Sequence, residues 1–211
     1  SFTVENAKGY KVGDTILDIT GFNLTILSSE RVALNFLAHL SGIATMTRKF
    51  VDKIKGTNCR ILDTRKTTPG FRLLEKLAVE HGGGCNHRMG LHDMVLIKDN
   101  HIAAAGSIAA AVSLVRARAC HLMKVEVEVS DMDQVQQALD ARADVIMLDN
   151  MDIDAMTKAV TLIGKRAMVE ASGNVSLKTL NAIAGTGVDI ISCGALTHQA
   201  VSVDLSLRIQ N

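Results

Sequence analysis

Basic side chains concentrate in three short segments in the middle of the chain, each at or near the end of an apolar run. The segments are ILDTRKTTPGF (61–71), GGGCNHRMG (82–90) and LIKDNH (96–101), and their basic residues are Arg65, Lys66, His87, Arg88 and Lys98. The whole protein carries a formal net charge of only +1. Because the positive charge is local, the pattern predicts a pocket for a small, strongly anionic ligand, and not a generally basic surface.

The loop that contains His87 and Arg88 follows three successive glycines, which are too flexible for a helix interior. We therefore expect an irregular loop that presents both side chains. The guanidinium of Arg88 can bind a carboxylate through two parallel hydrogen bonds. His87 and Arg88 are therefore interpreted as residues that bind a carboxylate or phosphate.

Acidic residues provide a second set of candidates. In the segment MKVEVEV (123–129), Glu126 and Glu128 share one face with Lys124. Strands of a parallel sheet covered by helices are normally apolar on both faces, so this charged face predicts a barrel interior that opens into a site. Glu128 and Asp149 are candidates to hold the hydroxyls of a sugar or a divalent cation. Carboxylate oxygens suit Mg²⁺, which also keeps water ligands.

Two glycine turns follow the last two apolar segments. Ser172-Gly173-Asn174 precedes a predicted helix from Ser176, and Cys193-Gly194-Ala195 follows the final apolar run. Glycine lets the backbone approach a ligand closely, and free N–H groups at a helix start favour an anion. The turns are typical of a phosphate cradle in (β/α) barrels, with ordinary glycine turns as the alternative.

The elements that must position these residues follow a regular rhythm. Apolar segments at 59–64, 94–99, 123–129, 144–149, 166–171 and 188–193 alternate with amphipathic helical patterns, which indicates parallel strands with helices outside. Ligands bind beyond the carboxyl ends of such strands, where the polar residues fall. Six strands are compatible with a doubly wound sheet or with a barrel of fewer than eight strands. Residues 1–27 are predicted to form short antiparallel strands, followed by a helix from Ser28 or Ser29 that ends at Gly56.

Composition limits the function classes. A chain of 211 residues that is 47% hydrophobic can bury one sizeable core. No signal peptide and no apolar run long enough for a membrane span are recognised. The four cysteines, Cys59, Cys85, Cys120 and Cys193, are widely spaced, which favours reduced thiols in a cytoplasmic protein. The near-neutral charge disfavours a general nucleic-acid binder.

Several segments occur together, and in the same order, in the quinolinate phosphoribosyltransferase family. They are ERVALNFLAHLSGIAT, DTRKTTPGFR, GGGCNHRMGLHD, LIKDNHI, VEVEV, IMLDN, EASGN and VDIISCGALTH, and the resemblance covers residues 28–211. It implies a pentosyltransferase of de novo NAD biosynthesis. In that reaction quinolinate accepts the ribosyl group of 5-phosphoribosyl-1-pyrophosphate, and nicotinate mononucleotide, pyrophosphate and carbon dioxide are released.

The resemblance also implies roles for individual residues. Arg65, His87 and Arg88 would hold the quinolinate carboxylates, with Lys66 and Lys98 near the pyrophosphate and carboxylate charges. Glu128 and Asp149 would lie near the ribose and Mg²⁺, bound directly or through water. Ser172, Gly173 and Gly194 would hold the 5-phosphate. Arg31 would reach the quinolinate site of a neighbouring subunit.

The family architecture implies a homodimer or a dimer-based hexamer with shared active sites, and a (β/α) barrel of six or seven strands. On this basis residues 1–27 are the last part of an N-terminal α/β sandwich domain, 28–58 form a connecting helix that carries Arg31, and 59–211 form the catalytic barrel. Alternatives are a related phosphoribosyltransferase with another acceptor, a Schiff-base aldolase that uses Lys66 or Lys98, and a non-catalytic scaffold or nucleic-acid module.

Overall fold

A computed structural model describes residues 9–209 and contains one six-stranded parallel sheet surrounded by helices. The strands are β1 (Arg60–Leu62), β2 (Val95–Ile97), β3 (Val125–Val129), β4 (Val145–Asp149), β5 (Met168–Ser172) and β6 (Ile190–Ser192). The helices are α1 (Asn23–Lys53), α2 (Arg72–His81), α3 (Asp99–Ala105), α4 (Ile108–Arg116), α5 (Met132–Asp140), α6 (Ile153–Ile163), α7 (Leu180–Gly185) and α8 (Ala195–His198). All six predicted strands are confirmed.

The order of the strands decides between the two predicted architectures. It is β1-β6-β5-β4-β3-β2, so every strand lies beside its neighbour in sequence except at the β1–β2 step, and the last strand pairs with the first. A doubly wound sheet reverses its strand order at a central switch point, and this sheet does not. The fold is therefore a six-stranded (β/α) barrel with a gap between β1 and β2. The segment after α2 enters this gap, where Cys85 forms an isolated parallel bridge with Leu62.

The two faces of each strand have different surroundings, as the alternation in β3 predicts. Val125, Val127 and Val129 are buried in the hydrophobic core beneath the helices, whereas Glu126 and Glu128 point to the other side of β3. The barrel interior is thus polar toward the carboxyl ends of the strands. Because interior side chains can reach each other across the barrel, residues from separate strands can form one site there.

The outer helices follow from local sequence signals. Three of them begin at a side chain that accepts a backbone N–H of the first turn, which stabilises the helix start. These caps are Ser107 for α4, Asp131 for α5 and Asp152 for α6. The apolar stripe of each helix then packs on the sheet; in α5 it consists of Val135, Ala138 and Leu139.

The N-terminal prediction was partly wrong. The first helix starts at Asn23, before the expected Ser28, and the hydroxyls of Ser28 and Ser29 bind the Thr25 carbonyl within the helix instead of capping it. Residues 9–22 contain no strand, so the antiparallel strands predicted for 1–27 do not form in the described part of that range. Residues 1–8 lie outside the described residues. The division into domains at 27 and 58 stays a prediction.

All four cysteines are free thiols, as predicted. Within residues 9–209, none of the helices has the length and apolar character required to cross a bilayer.

Candidate active site

One cavity of about 710 Å³ opens at the carboxyl ends of the strands, and almost every predicted site residue lines it. Each strand or the loop that follows it contributes at least one side chain or backbone turn to the lining. The predicted residues on its wall are Arg65, Lys66, His87, Arg88, Lys98, Glu128, Asp149, Ser172, Gly173 and Gly194. A second cavity, of about 430 Å³, lies between the end of α1 and the start of β1 and contains none of them.

Arg31 is the predicted site residue that does not line this cavity. It is exposed on α1. Its assignment to the site of a neighbouring subunit is not tested by a single chain and stays a prediction.

His87 is held inside the barrel between two carboxylates. Its side chain is only 6% exposed, and Nε2 lies 3.3 Å from Glu126 Oε2 on β3 and 3.5 Å from Glu170 Oε1 on β5. The other ring nitrogen, Nδ1, accepts the backbone N–H of Arg88 at 2.7 Å. Both ring nitrogens therefore lie against protein groups, which fixes the orientation of the imidazole.

Burial and charge act in opposite directions on this cluster. Burial lowers the pKa of His87, but contacts with Glu126 and Glu170 outweigh it and raise that pKa to about 9. Burial raises the pKa of Glu126 to about 7, while His87 opposes the rise. The three groups lie close enough to hold a metal ion. However, with a pKa of about 9 the His87 ring stays protonated near neutral pH, and a protonated imidazole cannot ligate a metal.

Arg65 and Arg88 supply the cationic side of the cavity. The Arg88 guanidinium donates through Nη1 to the Met94 carbonyl at 3.2 Å, and burial together with the nearby Arg65 lowers its pKa. The Nε of Arg65 is buried and has no hydrogen-bond partner within residues 9–209. An unpaired donor on a guanidinium is costly to bury, so the cavity is complementary to an acceptor of negative charge.

Two lysines and two carboxylates also line the cavity. Lys98 Nζ forms an ion pair with the Glu128 carboxylate, and Asp149 Oδ2 accepts a hydrogen bond from the side chain of the adjacent Asn150 at 2.8 Å. Lys66 is exposed, and its backbone carbonyl accepts the Thr197 hydroxyl at 2.7 Å. The contact to Thr197 joins the loop after β1 to α8. The cavity therefore presents positive charge beside two carboxylates.

The turn after β5 requires glycine. Gly173 has φ +87°, and a Cβ there would approach Asn150 Cγ to 2.5 Å. Asn150 in turn accepts a hydrogen bond from Asn174 Nδ2 at 3.1 Å, so the turns after β4 and β5 are connected by side-chain amides. This leaves the backbone of Gly173 free to approach a ligand closely.

One detail of the predicted cradle was wrong. The helix expected from Ser176 begins at Leu180, because Ser176 and Thr179 first form a turn closed by their own hydroxyl groups. The predicted N–H groups of a helix start therefore do not follow Gly173 directly. After Gly194 the short helix α8 begins at once.

Several residues of the site were not predicted from the sequence. Glu126 on β3 and Glu170 on β5 were not assigned to the site, although the alternating face of β3 contains the signal for Glu126. Asn150 and Asn174 adopt left-handed backbone conformations, which asparagine tolerates and which mark tight turns. Arg72 and Lys76 of α2 gave no signal as site residues, because a charged residue in an amphipathic helix is normally solvated.

Fold and site together define an α/β-barrel protein with a cavity lined by basic side chains at the carboxyl ends of its strands. Comparison with known proteins makes the class specific. Residues 43–208 match the family described as quinolinate phosphoribosyl transferase, C-terminal domain. The chain therefore belongs to the quinolinate phosphoribosyltransferase family.

Individual relatives agree with this assignment. The chain is 48% identical to a probable nicotinate-nucleotide pyrophosphorylase [carboxylating] of Bacillus subtilis (strain 168), over 93% of this chain and 68% of the relative. It is also 48% identical to the corresponding probable enzyme of Synechocystis sp., over 99% of this chain and 72% of that protein. The solved structure of the nicotinate-nucleotide pyrophosphorylase from Francisella tularensis is similar with a TM-score of 0.95 and 44% identity, over 100% of this chain and 75% of that one.

Proposed function

We propose that the protein is a decarboxylating quinolinate phosphoribosyltransferase of NAD biosynthesis. It transfers the phosphoribosyl group of 5-phosphoribosyl-1-pyrophosphate to quinolinate and releases pyrophosphate and carbon dioxide. The convergence of ten predicted residues on one cavity is the observation that supports this function beyond family membership. Both proposed substrates are small polyanions, as the local concentration of basic residues requires.

The cationic and acidic walls suit the two substrates differently. Arg65 and Arg88 face the cavity as a pair of guanidiniums, and a pyridine dicarboxylate offers two planar carboxylates for bidentate hydrogen bonds. His87 completes this wall with its ring held in place from both sides. The ribose and its 5-phosphate then fit the opposite region, near Asp149, Ser172, Gly173 and Gly194.

Positioning and electrostatics account for the chemistry without a protein nucleophile. The pyridine nitrogen attacks the anomeric carbon as the C–O bond to pyrophosphate breaks. Lys66 and Lys98 both line the cavity and can stabilise the negative charge of the departing pyrophosphate. After the new bond forms, the adjacent pyridinium nitrogen can stabilise the carbanion left by loss of carbon dioxide, and this carbanion takes up a proton from solvent to give nicotinate mononucleotide. An aldolase-type lysine would instead need a free amine, and Lys98 is engaged by Glu128.

The donor set also fits Mg²⁺. Glu128 and Asp149 place carboxylate oxygens on the wall of the same cavity, and oxygen ligands of this kind are the ones Mg²⁺ uses. We propose that these residues hold the ion directly or through water. When bound, it would neutralise charge on the pyrophosphate group.

We further propose a homodimer or a dimer-based hexamer in the cytoplasm, in which Arg31 completes the quinolinate site of the neighbouring subunit. The exposed position of Arg31, outside the cavity of its own chain, supports this arrangement.

Incubation of the complete purified protein with quinolinate, 5-phosphoribosyl-1-pyrophosphate and Mg²⁺ tests the proposal. Nicotinate mononucleotide should accumulate in step with released carbon dioxide, and omission of either substrate should abolish both. Reaction with nicotinate in place of quinolinate would indicate another acceptor. Absence of product with quinolinate in protein shown to be folded would refute the proposed function.

A further inference from the structure

The inward face of α2 is charged, which is unusual for a helix packed on a barrel. Arg72, Glu75 and Lys76 lie three and four residues apart and therefore share one face. Glu75 is 0% exposed and Lys76 is 1% exposed, whereas Leu73 and Leu77 are 69% and 45% exposed. Buried charges are costly unless they are paired and hydrogen-bonded, so the partners of these side chains indicate why they are buried.

Lys76 and Asp63 hold the backbone of His87 from both sides. Lys76 Nζ donates to Asp63 Oδ1 at 2.5 Å and to the His87 carbonyl at 2.9 Å, and the same Asp63 oxygen accepts the His87 N–H at 2.8 Å. The pair is thus a buried ion pair whose remaining hydrogen bonds go to a single residue of the loop. Both polar backbone groups of His87, directly before Arg88, are fixed.

Arg72 connects this loop to the other basic loop. Its Nη1 donates to the Met89 carbonyl and its Nη2 to the Arg65 carbonyl, both at 3.1 Å, while Nε donates to the Thr67 hydroxyl at 3.0 Å. The guanidinium is planar and its donors have a fixed geometry. A single side chain therefore sets the distance between the backbone at Arg65 and the backbone directly after Arg88.

Glu75 anchors the same face of α2 to α1. Its Oε1 lies 2.8 Å from His39 Nε2, and its Oε2 accepts the Thr68 N–H at 3.2 Å. The loop after β1 is thus attached to α2 at Thr68 as well as at Arg65 and Thr67. This contact makes α2 a rigid base for that loop.

We propose that Arg72, Lys76 and Asp63 form a backbone clamp that sets the separation of the Arg65 and Arg88 guanidiniums for a dicarboxylate ligand. The inference rests on the proposed function and assigns positioning residues within it. Two guanidiniums on one cavity wall repel each other when no ligand is bound, so their loops need a restraint to stay in the binding geometry. The clamp acts on the backbone and leaves both guanidiniums available.

The side chains of the clamp donate hydrogen bonds only to the loops of the cationic wall and to each other, and Lys66 within one of these loops is held separately, because its carbonyl accepts the Thr197 hydroxyl. The residues proposed to hold the ribose phosphate, Ser172, Gly173 and Gly194, follow β5 and β6 and make no hydrogen bond with the clamp in the described part of the chain. Loss of the clamp should therefore weaken quinolinate binding selectively. If these residues only stabilised the fold, their loss would lower stability and would change the KM for quinolinate and the KM for 5-phosphoribosyl-1-pyrophosphate by similar factors.

Arg72→Met in the complete protein is the principal test, because Arg72 is only half-buried and its loss leaves no isolated charge in the core. Arg116→Met is the matched control, since Arg116 Nη2 likewise donates to a backbone carbonyl, that of Arg142 at 2.6 Å, and to Asp144 at 3.1 Å. These contacts lie at the amino end of β4. Thermal unfolding of both variants establishes that each is folded.

We expect Arg72→Met to raise the KM for quinolinate about 10-fold or more while the KM for 5-phosphoribosyl-1-pyrophosphate changes less than about 2-fold. Arg116→Met should leave both unchanged. The double variant Asp63→Asn/Lys76→Met, which removes both charges together, should shift the quinolinate KM in the same direction. Calorimetric titration with quinolinate gives a second readout that does not depend on turnover.

Unchanged or equally raised Michaelis constants in folded Arg72→Met would overturn the clamp, even if the double variant fails to fold. Wild-type protein without turnover would refute the proposed function instead. In that case calorimetry still tests the clamp: weaker quinolinate binding by Arg72→Met supports it, and equal binding by wild type and variant overturns it.

Discussion

Replacement of Gly173 by alanine tests the phosphate side of the site, and the chain offers a matched control. Gly173 has φ +87° and Gly106 has φ +89°, so alanine meets the same backbone penalty at both positions, about 1 kcal/mol. The surroundings differ. No atom lies within 4 Å of a Cβ at Gly106, whereas a Cβ at Gly173 would approach Asn150 Cγ to 2.5 Å.

The expected magnitude follows from the contacts of Asn150. Its amide must retreat by about 1 Å to restore ordinary van der Waals contact. This movement disturbs the hydrogen bonds to Asn174, at 3.1 Å, and to Asp149, at 2.8 Å. With about 1 kcal/mol for each hydrogen bond, the turn that we propose to hold the ribose phosphate loses about 1–2 kcal/mol of preorganisation. Because about 1.4 kcal/mol corresponds to a tenfold change in a dissociation constant, the KM for 5-phosphoribosyl-1-pyrophosphate should rise roughly tenfold.

Steady-state kinetics with each substrate varied in turn measure this effect, and chemical denaturation measures stability. Both variants should lose about 1 kcal/mol of stability from the backbone, and Gly173→Ala should lose about 1–2 kcal/mol more through Asn150. Only Gly173→Ala should lose affinity for the ribose substrate. Its KM for quinolinate should stay near the wild-type value. Equal kinetics for the two variants would refute the reasoning that the turn after β5 holds the phosphate.

Three further predictions concern the cationic wall, the subunit arrangement and pH. Arg88→Ala should weaken quinolinate binding by about 1.5–3 kcal/mol and the ribose substrate far less, as measured by calorimetry; equal losses would contradict the role given to Arg88. Arg31→Ala and Arg88→Ala proteins, each inactive alone, should regain about a quarter of wild-type activity after mixing and subunit exchange, whereas no recovery would place Arg31 in the site of its own chain. The free energy of unfolding should fall as pH rises from about 4.5 to about 9. The reason is that the folded state raises the pKa of Glu126 from 4.5 to about 7 and that of His87 from 6.5 to about 9, so it holds the extra protons that a rising pH removes. Denaturation at several pH values should show that the free energy of unfolding falls less in the double variant Glu126→Gln/His87→Gln than in the wild type. An equal fall in both proteins would contradict the role of these two groups in the pH dependence.

The sequence predicted the strands well because each is a short apolar run followed by polar residues. It also predicted the barrel interior, since Glu126 and Glu128 alternate with valines and a sheet covered on both faces has no place for them. The choice between a barrel and a doubly wound sheet required the pairing of β1 with β6. This pairing joins segments that are distant in sequence and leaves no local signal.

The unpredicted features have a common physical cause. The inward face of α2 is recognised only when its partners are known, and those partners are backbone groups of two separate loops, not side chains. Leu73 and Leu77 are exposed on this helix, whereas the charged Glu75 and Lys76 are buried. Similarly, Gly82 and Gly84 were interpreted as sources of flexibility, but a Cβ at either would collide with Thr47 on α1.

The most direct test of the central claim is a turnover measurement on the complete protein with quinolinate labelled in the carboxylate that is lost. The account predicts equal amounts of labelled carbon dioxide, pyrophosphate and nicotinate mononucleotide, formed only when 5-phosphoribosyl-1-pyrophosphate and Mg²⁺ are present. Arg65→Ala, which removes a guanidinium from the cavity wall, should abolish most of the quinolinate-dependent release. Folded wild-type protein that forms none of the three products would contradict the account.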